Sequence, residues 1–508
     1  MTEEIRRPNR PWVSLAFICV GILAIATDDG VLNLALPAIS KEFQASIGEL
    51  QWAISAYFLA FATLLLTMGA LGDRFGRKRM FQVGMVLFGF GSLAAVLSTS
   101  MGMLIACRAF MGLAGAIALP QTLSIIRATF TDPKKRVQAI GVWGGIFALG
   151  YGIGPVVGGI LLQYFEWYSV FLFNIPLVSI AFVGGYLFIQ ESRDTSAPRL
   201  DLPGVVFSIA GLFLLVYGII KAGELGWTES SVISLLVAGA IIMAIFVWWE
   251  KRSDHPMLPL RFFKNMSFTG ANVTMVLSAF ITSALLFFVS QYLQSVQGYS
   301  PLAAGLRILP FVVIVMVAAL VGAQISRAIG VKIPVSLGMF IAGLGLFWLS
   351  FVDVDTSYLV IFGGLAILGV GCGVRLSPAT DSVIGSLPVS RAGVGAAMDQ
   401  AMQSLGGVLG IAVLGAILNA IYRGKIENLS VVASLPEEAY ESIRNSIQSA
   451  HIVAGQFPED ISQQIINGSS NAFTSGMMEA MFIGSIAMVA GSLFSLFILP
   501  TRIRPSQE

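Results

Sequence analysis

Charge is scarce in this 508-residue chain. Asp, Glu, Lys and Arg together make up 11% of it, where a soluble domain carries about 25%. With 56% hydrophobic residues and a mean hydropathy of +0.82, that shortage excludes a water-soluble fold. Cysteine is scarcer still: Cys19, Cys107 and Cys372 each fall inside an apolar run, which excludes a disulfide framework. The two histidines, His255 and His451, lie in polar segments far apart, so neither a metal cluster nor a nucleophilic constellation supports a membrane-embedded enzyme. No Gly-x-x-x-x-Gly-Lys-Ser/Thr loop occurs, which argues against nucleotide dependence. The net charge of +2 carries no nucleic-acid signature.

What the chain has instead is apolar length. A lipid-embedded backbone satisfies its own hydrogen bonds only as a helix or a closed barrel, and uninterrupted runs of about 20 apolar residues decide for helices. The fold class is therefore all-α and polytopic. Runs between charged or Gly/Pro/Asn punctuation predict fourteen spans, near 12–36, 50–72, 79–99, 103–128, 137–163, 168–190, 203–221, 231–249, 268–295, 304–325, 333–352, 357–387, 392–422 and 472–499. The first begins at Trp12, is too long for a signal peptide and carries Asp28-Asp29, so it is expected to remain as span 1.

An even count puts both termini on one side. Outside the membrane, 22 Lys/Arg residues fall on that side, among them Arg6, Arg7, Arg10, Arg74, Arg77, Lys78, Arg199, Arg391, Arg502 and Arg504; six fall opposite. The positive-inside bias then makes the termini cytoplasmic. The acidic segment 424–470 falls outside and reads as a solvated loop shaping the outer vestibule, or alternatively a lid over it, with the start of a short amphipathic helix at Ser434-Leu-Pro436-Glu437-Glu438.

The chain repeats itself. Gly69-Ala-Leu-Gly-Asp73-Arg74-Phe-Gly76-Arg77-Lys78 after span 2 has a degenerate echo in Gly322-Ala-Gln-Ile-Ser326-Arg327-Ala-Ile-Gly330-Val-Lys332 after span 10. Pro120–Ser124 in span 4 parallels Pro378–Ser382 in span 12. The expected organisation is a six-helix bundle over 1–200, an inserted pair (spans 7 and 8) over 201–253, and a second six-helix bundle over 254–508. Two repeated bundles around one path is how alternating-access transporters are built.

Three sets of residues carry candidate chemistry. In the loop after span 2, Gly69 would allow close helix approach, Gly76 would turn the chain tightly, and Asp73 can accept from an arginine or a helix end; with Arg74, Arg77 and Lys78 this reads as a gate. In span 5, Gly150, Gly154, Pro155, Gly158 and Gly159 suit a sealed helix contact or hinge. Third come charges inside the membrane, each costing about 2.5 to 3.5 kcal/mol on insertion scales and so functional candidates. These are Asp28, Asp29, Arg108, Arg375, Asp381 and Asp399. Asp28 lies about 20 Å along span 1 from Leu15, just past the middle of a core about 30 Å thick. Asp28 and Asp29 point about 100° apart. Asp399 has Gln400 and Gln403 beside it, and either Asp399 or Asp381 would be a candidate ion-pair partner for Arg375. Trp52, Tyr57, Trp143, Phe147, Tyr292, Met398 and Met402 are the expected walls of an adaptable apolar cavity.

These residues resemble the major facilitator superfamily, and within it the fourteen-helix drug:proton antiporter branch of the Emr/Qac type. The loop after span 2 looks like its cytoplasmic gate motif. Leu104-x-x-x-Arg108-x-x-x-Gly112 is similar to its proton-linked arginine motif, and Gly150-x-x-x-Gly154-Pro155-x-x-Gly158-Gly159 to its antiporter motif. Further matches are Asp28 nine residues before Pro37, Trp167-x-x-x-Phe171-x-x-Asn174-x-Pro176, His255-Pro-Met-Leu-Pro-Leu and Gln291-Tyr-Leu-Gln294. Two departures are Asp29 beside the single expected acid and Arg375 where small residues are common. The resemblance implies a monomeric major facilitator fold in a bacterial inner membrane. It implies a proton-coupled antiporter of bulky lipophilic, cationic compounds that needs no cofactor beyond the proton gradient, with Asp28 on the central cavity. Export of an endogenous lipid, siderophore or secondary metabolite would use the same machinery, and proton symport is a third reading.

Overall fold

The computed structural model describes residues 11–193, 201–254, 256, 258, 260–387, 392–433 and 435–501. The expectations at Arg6, Arg7, Arg10, Arg199, His255, Arg391, Ser434, Arg502 and Arg504 lie outside them. Among the described residues, fourteen helices are long and apolar enough to cross a membrane: spans 1 to 6 are Pro11–Phe43, Ile47–Phe75, Arg77–Val96, Met101–Thr129, Lys134–Tyr164 and Ser169–Phe188; spans 7 and 8 are Leu202–Leu225 and Ser230–Arg252; spans 9 to 14 are Met266–Val296, Pro301–Ile329, Lys332–Leu349, Tyr358–Val383, Ala397–Glu427 and Glu459–Ile498.

Local chemistry sets their starts. Ser46 and Glu49 form a reciprocal capping box at span 2. Ser100, Asp132, Asp201, Asn265 and Ser300 each accept from a backbone N–H of the first turn that follows. Proline occupies the first turn after Asp132, Asp201 and Ser300, where its missing N–H costs nothing.

Packing repeats between the halves. Span 1 packs on 5, 2 on 4 and 3 on 4; correspondingly, 9 packs on 13, 10 on 12 and 11 on 12. The turn after span 2 holds Gly76 at φ +114° with Arg77 N donating to Ser192 O (3.0 Å). The turn after span 10 holds Gly330 at φ +84° with Val331 N donating to Thr501 O (3.1 Å). Both glycines sit where a side chain would be strained.

The halves meet along two seams, 5 against 10 and 2 against 13. At the end away from the termini both are shut: a Cβ on Gly159 would lie 2.8 Å from Leu302 Cα, and Gly305 faces the Pro155 carbonyl. Ser290 Oγ donates to Asn33 O (2.7 Å) and Gln294 Nε2 to Leu34 O (3.1 Å) across the same end. Toward the termini span 5 swings free, and Gly141, Gly144 and Gly145 have open space where a Cβ would be. Among the described residues the 5–10 seam thus parts toward the termini, while Leu66 of span 2 packs into the cluster around Met398 of the second half.

Spans 7 and 8 pack on each other, and span 7 lies across the 2–13 seam. Its Val216 and Ile220 share a buried cluster with Leu59, Val408 and Ala412, and Arg423 Nη1 donates to Glu224 O (2.9 Å).

The segment 424–470 corrects the expectation of a solvated loop. It folds into short helices, chiefly Glu437–Asn445 and Ile447–Ala454, followed by an extension of span 14 that begins at Glu459. Ile443, Ile447, Ala450 and Ala454 are buried in the main core. Arg444 bridges Glu427 (2.9 Å) and Glu441 (3.2 Å), Tyr422 Oη donates to Ile443 O (2.7 Å), and Ser446 Oγ lies 3.3 Å from Ser40 Oγ of the first half. Burial of apolar positions at helical spacing, which a count of acids does not reveal, makes it a packed cap.

Candidate functional site

Arg108, on span 4, reaches the Asp28 carboxylate of span 1 at 2.5 Å and is only 1% exposed. Its Nε donates to Ala53 O of span 2 (3.2 Å), and its guanidinium lies 4.4 Å from the centre of the Tyr57 ring. Close approach of spans 2 and 4 makes this possible, since Gly112 packs directly on the Tyr57 carbonyl. The other oxygen of Asp28 accepts from Asn174 Nδ2 (2.8 Å), which also reaches Ser92 Oγ (3.3 Å). Asn174 begins the second of the two helical pieces of span 6, Ser169–Leu172 and Asn174–Phe188. Its motif was visible in the sequence, but its pairing was not. A charge-assisted pair with both carboxylate oxygens engaged is a strong buried arrangement.

The expectation that Asp28 faces the central path is therefore corrected: it points into the first bundle, between spans 4 and 6. Its neighbour Asp29 is half-buried, and its Oδ1 has no hydrogen-bond partner. Tyr57 of span 2, Tyr151 of span 5 and Arg108 lie within range of its charge.

The second half holds a different charged centre. Arg375 of span 12 is 4% exposed; its Nη1 touches Thr274 O and Met275 Sδ, each at 3.4 Å, its guanidinium lies within range of the Cys372 thiol and the Asp399 carboxylate, and Nε is unpaired. Asp399 of span 13 is 6% exposed and accepts from Gln403 Nε2 (3.1 Å), while its Oδ1 has no partner. Neither Asp399 nor Asp381 forms an ion pair with Arg375. Asp381 is exposed; six residues after Arg375 on one helix, it points elsewhere.

The residues after span 2 clip the first bundle together. Arg77 Nε donates to Asp73 Oδ1 (2.8 Å), and Arg74 lies over the Phe75 ring. Glu191, missed in the sequence, accepts from Lys78 N and Arg79 N (3.1 Å each) and so caps span 3. Lys78 Nζ reaches Tyr186 O (2.8 Å). The glycine of close approach is Gly72, packed on the Gln121 side chain; at Gly69 a Cβ would meet Pro120 at an ordinary 3.5 Å. Gln121 Nε2 in turn donates to Met68 O (2.9 Å).

Span 5 is tight on two faces. Gly150, Gly154 and Gly158 meet span 1, with a Cβ on Gly154 lying 2.7 Å from Gly30 Cα, while Gly152, Pro155 and Gly159 meet span 10. Of the expected cavity walls, Trp143 stacks on Phe147 (5.8 Å) and donates to Thr122 Oγ1 (2.9 Å), near the open end of span 5. Met402 is half-buried, three residues after Asp399. Four walls are corrected. Tyr57 is 1% exposed, enclosed under Arg108. Trp52 faces Phe213 and Tyr217 of span 7, in a lateral groove of about 470 Å³ between spans 2, 4 and 7. Tyr292 is buried in a π-turn with Oη donating to Asp353 O (2.6 Å). Met398 is enclosed among Phe268, Met275 and Val383.

Known proteins share this pattern. The family model described as Major Facilitator Superfamily matches residues 18–411. The multidrug efflux pump LfrA of Mycolicibacterium smegmatis is 34% identical over 487 residues, 96% of each chain. The tetracenomycin C resistance and export protein of Streptomyces glaucescens is 32% identical over 96% of this chain and 91% of its own. The methyl viologen resistance protein SmvA of Salmonella typhimurium is 33% identical over 91% and 93%. Among solved structures, an inward-facing, unoccupied bacterial homologue of the human lysosomal transporter Spinster superposes with a TM-score of 0.67 at 17% identity, over 98% of this chain and 99% of that one.

Proposed function

The chain belongs to the Major Facilitator Superfamily, and from that premise we propose that it exports bulky amphipathic compounds, lipophilic cations among them, in exchange for protons. It is a multi-pass membrane transporter and not an enzyme. Relatives named for multidrug efflux, methyl viologen resistance and antibiotic export support drug export. The observation that carries proton exchange is the charged centre of the first half, where one of two consecutive carboxylates, Asp28, holds Arg108 and the other, Asp29, has an unpartnered oxygen. Buried acids in an apolar bundle are costly to keep and suit a site that alternates between a proton and a cation.

The route follows from the seams. The two bundles carry the sequence repeat, and the 5–10 seam parts at the end bearing the termini, for which the basic-loop bias supports a cytoplasmic position. A compound enters there beside Asp29, Trp143 and Phe147. Rocking of the bundles about the mid-membrane site then opens the far end, where the cap and the Ser290 and Gln294 bonds now seal it. Export of an endogenous metabolite uses the same cycle, and the Streptomyces glaucescens relative favours it as a second reading.

The test is proton movement by the purified protein in liposomes with an imposed pH gradient, on adding lipophilic cations and neutral amphiphiles in turn. Cation-dependent proton flux supports exchange. Export of labelled compound with no proton flux sinks the coupling and leaves export standing.

A further inference from the structure

Asp28 and Asp29 are adjacent in sequence and opposite in circumstance. Asp28 is spoken for: one oxygen holds Arg108 and the other accepts from Asn174. Arg108 is committed as well, to Asp28, to the Ala53 carbonyl and to the face of Tyr57. Asp29 points about 100° away around the helix. It is half-buried, with Oδ1 shielded from solvent and unpartnered; its own carbonyl is occupied by Asn33 Nδ2 at 3.4 Å. The groups that face it are Asp28 on span 1, Tyr57 on span 2, Arg108 on span 4 and Tyr151 on span 5. They include one cation, already paired.

Summed over this centre, two acids and one arginine leave one negative charge in excess. In the second half, Arg375 and Asp399 sum to zero. An uncompensated charge is not stable in an apolar bundle: it takes a proton or a counter-ion. We propose that Asp29, rather than the ion-paired Asp28, is the carboxylate on which a proton and a monovalent lipophilic cation exclude one another. The inference rests on the proton-exchange reading above and names its residue, its ligand charge and its stoichiometry. In balance, the cation and the neutral Asp29 carboxyl give the cation beside the Asp29 carboxylate and one proton, released into the open end of the path. At the far side a proton returns to Asp29 and the cation leaves. One proton is exchanged per monocation at this site. The zero-sum centre of the second half does not attract a cation in this way, and Tyr151, half-buried on span 5, offers aromatic surface for one in the first.

The experiment uses the full-length protein in detergent, weakly buffered, with a pH-indicator dye, titrated with tetraphenylphosphonium. Wild type is expected to release one proton per cation bound. Asp29→Asn is expected to release none and to bind roughly tenfold more weakly or worse, while melting at the wild-type temperature or above. Asp29→Glu restores release. If wild type binds the cation and releases no proton, the exchange reading itself fails. If wild type releases a proton and folded Asp29→Asn releases it equally, the assignment to Asp29 is overturned and exchange stands at another acid, Asp399 first. Should Asp29→Asn not fold, Asp29→Glu decides: a carboxylate extended by one methylene must change tetraphenylphosphonium affinity severalfold, and an unchanged affinity overturns the proposal.

Discussion

The two halves repeat one packing scheme yet treat a buried arginine in opposite ways. Arg108 in the first half has a carboxylate, a backbone carbonyl and an aromatic face. Arg375, on the corresponding helix of the second half, has one carbonyl and sulfur atoms about it, and forms no ion pair. The turns after spans 2 and 10 differ likewise. The first has the Asp73–Arg77 pair and the Glu191 cap; the second keeps the positive-φ glycine and the backbone bond to Thr501, with Ser326 in place of the acid. The shared frame is what backbone packing requires, and chemistry has been added mainly to one copy.

Arg108→Ala breaks this comparison most severely. It leaves the buried Asp28 carboxylate without its cation and next to a second acid, and removing one partner of a buried pair costs about 3 to 5 kcal/mol. The expected result is loss of folded, monodisperse protein in size-exclusion chromatography. Arg375→Met should cost less. It removes a guanidinium that forms no ion pair, at similar volume, and Asp399, whose charge it offsets, can take a proton in its place; the protein is expected to remain folded and monodisperse where Arg108→Ala does not. If Arg375→Met destabilises as Arg108→Ala does, the contrast between the halves is wrong.

Smaller effects sharpen it. Glu191→Ala removes the carboxylate that accepts from Lys78 N and Arg79 N, reducing the first turn toward the plainer second; loss of such a cap costs about 1 kcal/mol, visible as faster amide exchange at the start of span 3. The smallest effect belongs to the cap. Burial holds the His451 imidazole below its ordinary value of 6.5. The unfolded chain then takes up a proton that the folded cap does not, so stability falls as pH drops through about 6.5. His451→Gln should flatten that slope in melting curves between neutral and mildly acid pH.

Most of the fold was legible in the sequence, because apolar length, charge punctuation and repetition are one-dimensional signals. All fourteen spans appear where hydropathy puts them, although span 14 starts at Glu459 instead of 472, since its polar first turns belong to the cap. Facing was much harder to read. Asp28 and Asp29 are indistinguishable by depth, and only the placement of spans 4 and 6 shows which one meets Arg108. Trp52 looked like a cavity wall because nothing in the sequence says where an inserted helix docks. Tyr292 was misplaced because a π-turn rotates it out of the helical register. Gly69 and Gly72 are equally plausible small residues, and only the position of Gln121 separates them.

Span 7 gives the molecule a front and a back. Laid over the 2–13 seam, it closes that side to the surrounding bilayer; farther down the same side, Leu66 of the first half packs into the cluster around Met398 of the second. On the opposite flank no inserted helix packs on the 5–10 seam among the described residues, and that seam parts at Gly141 to Gly145. The protein is bound like a book, with a spine along one edge and pages that part at the other. The two flanks the molecule turns to its surroundings are therefore unequal, one covered by span 7 and the other parted beside span 5.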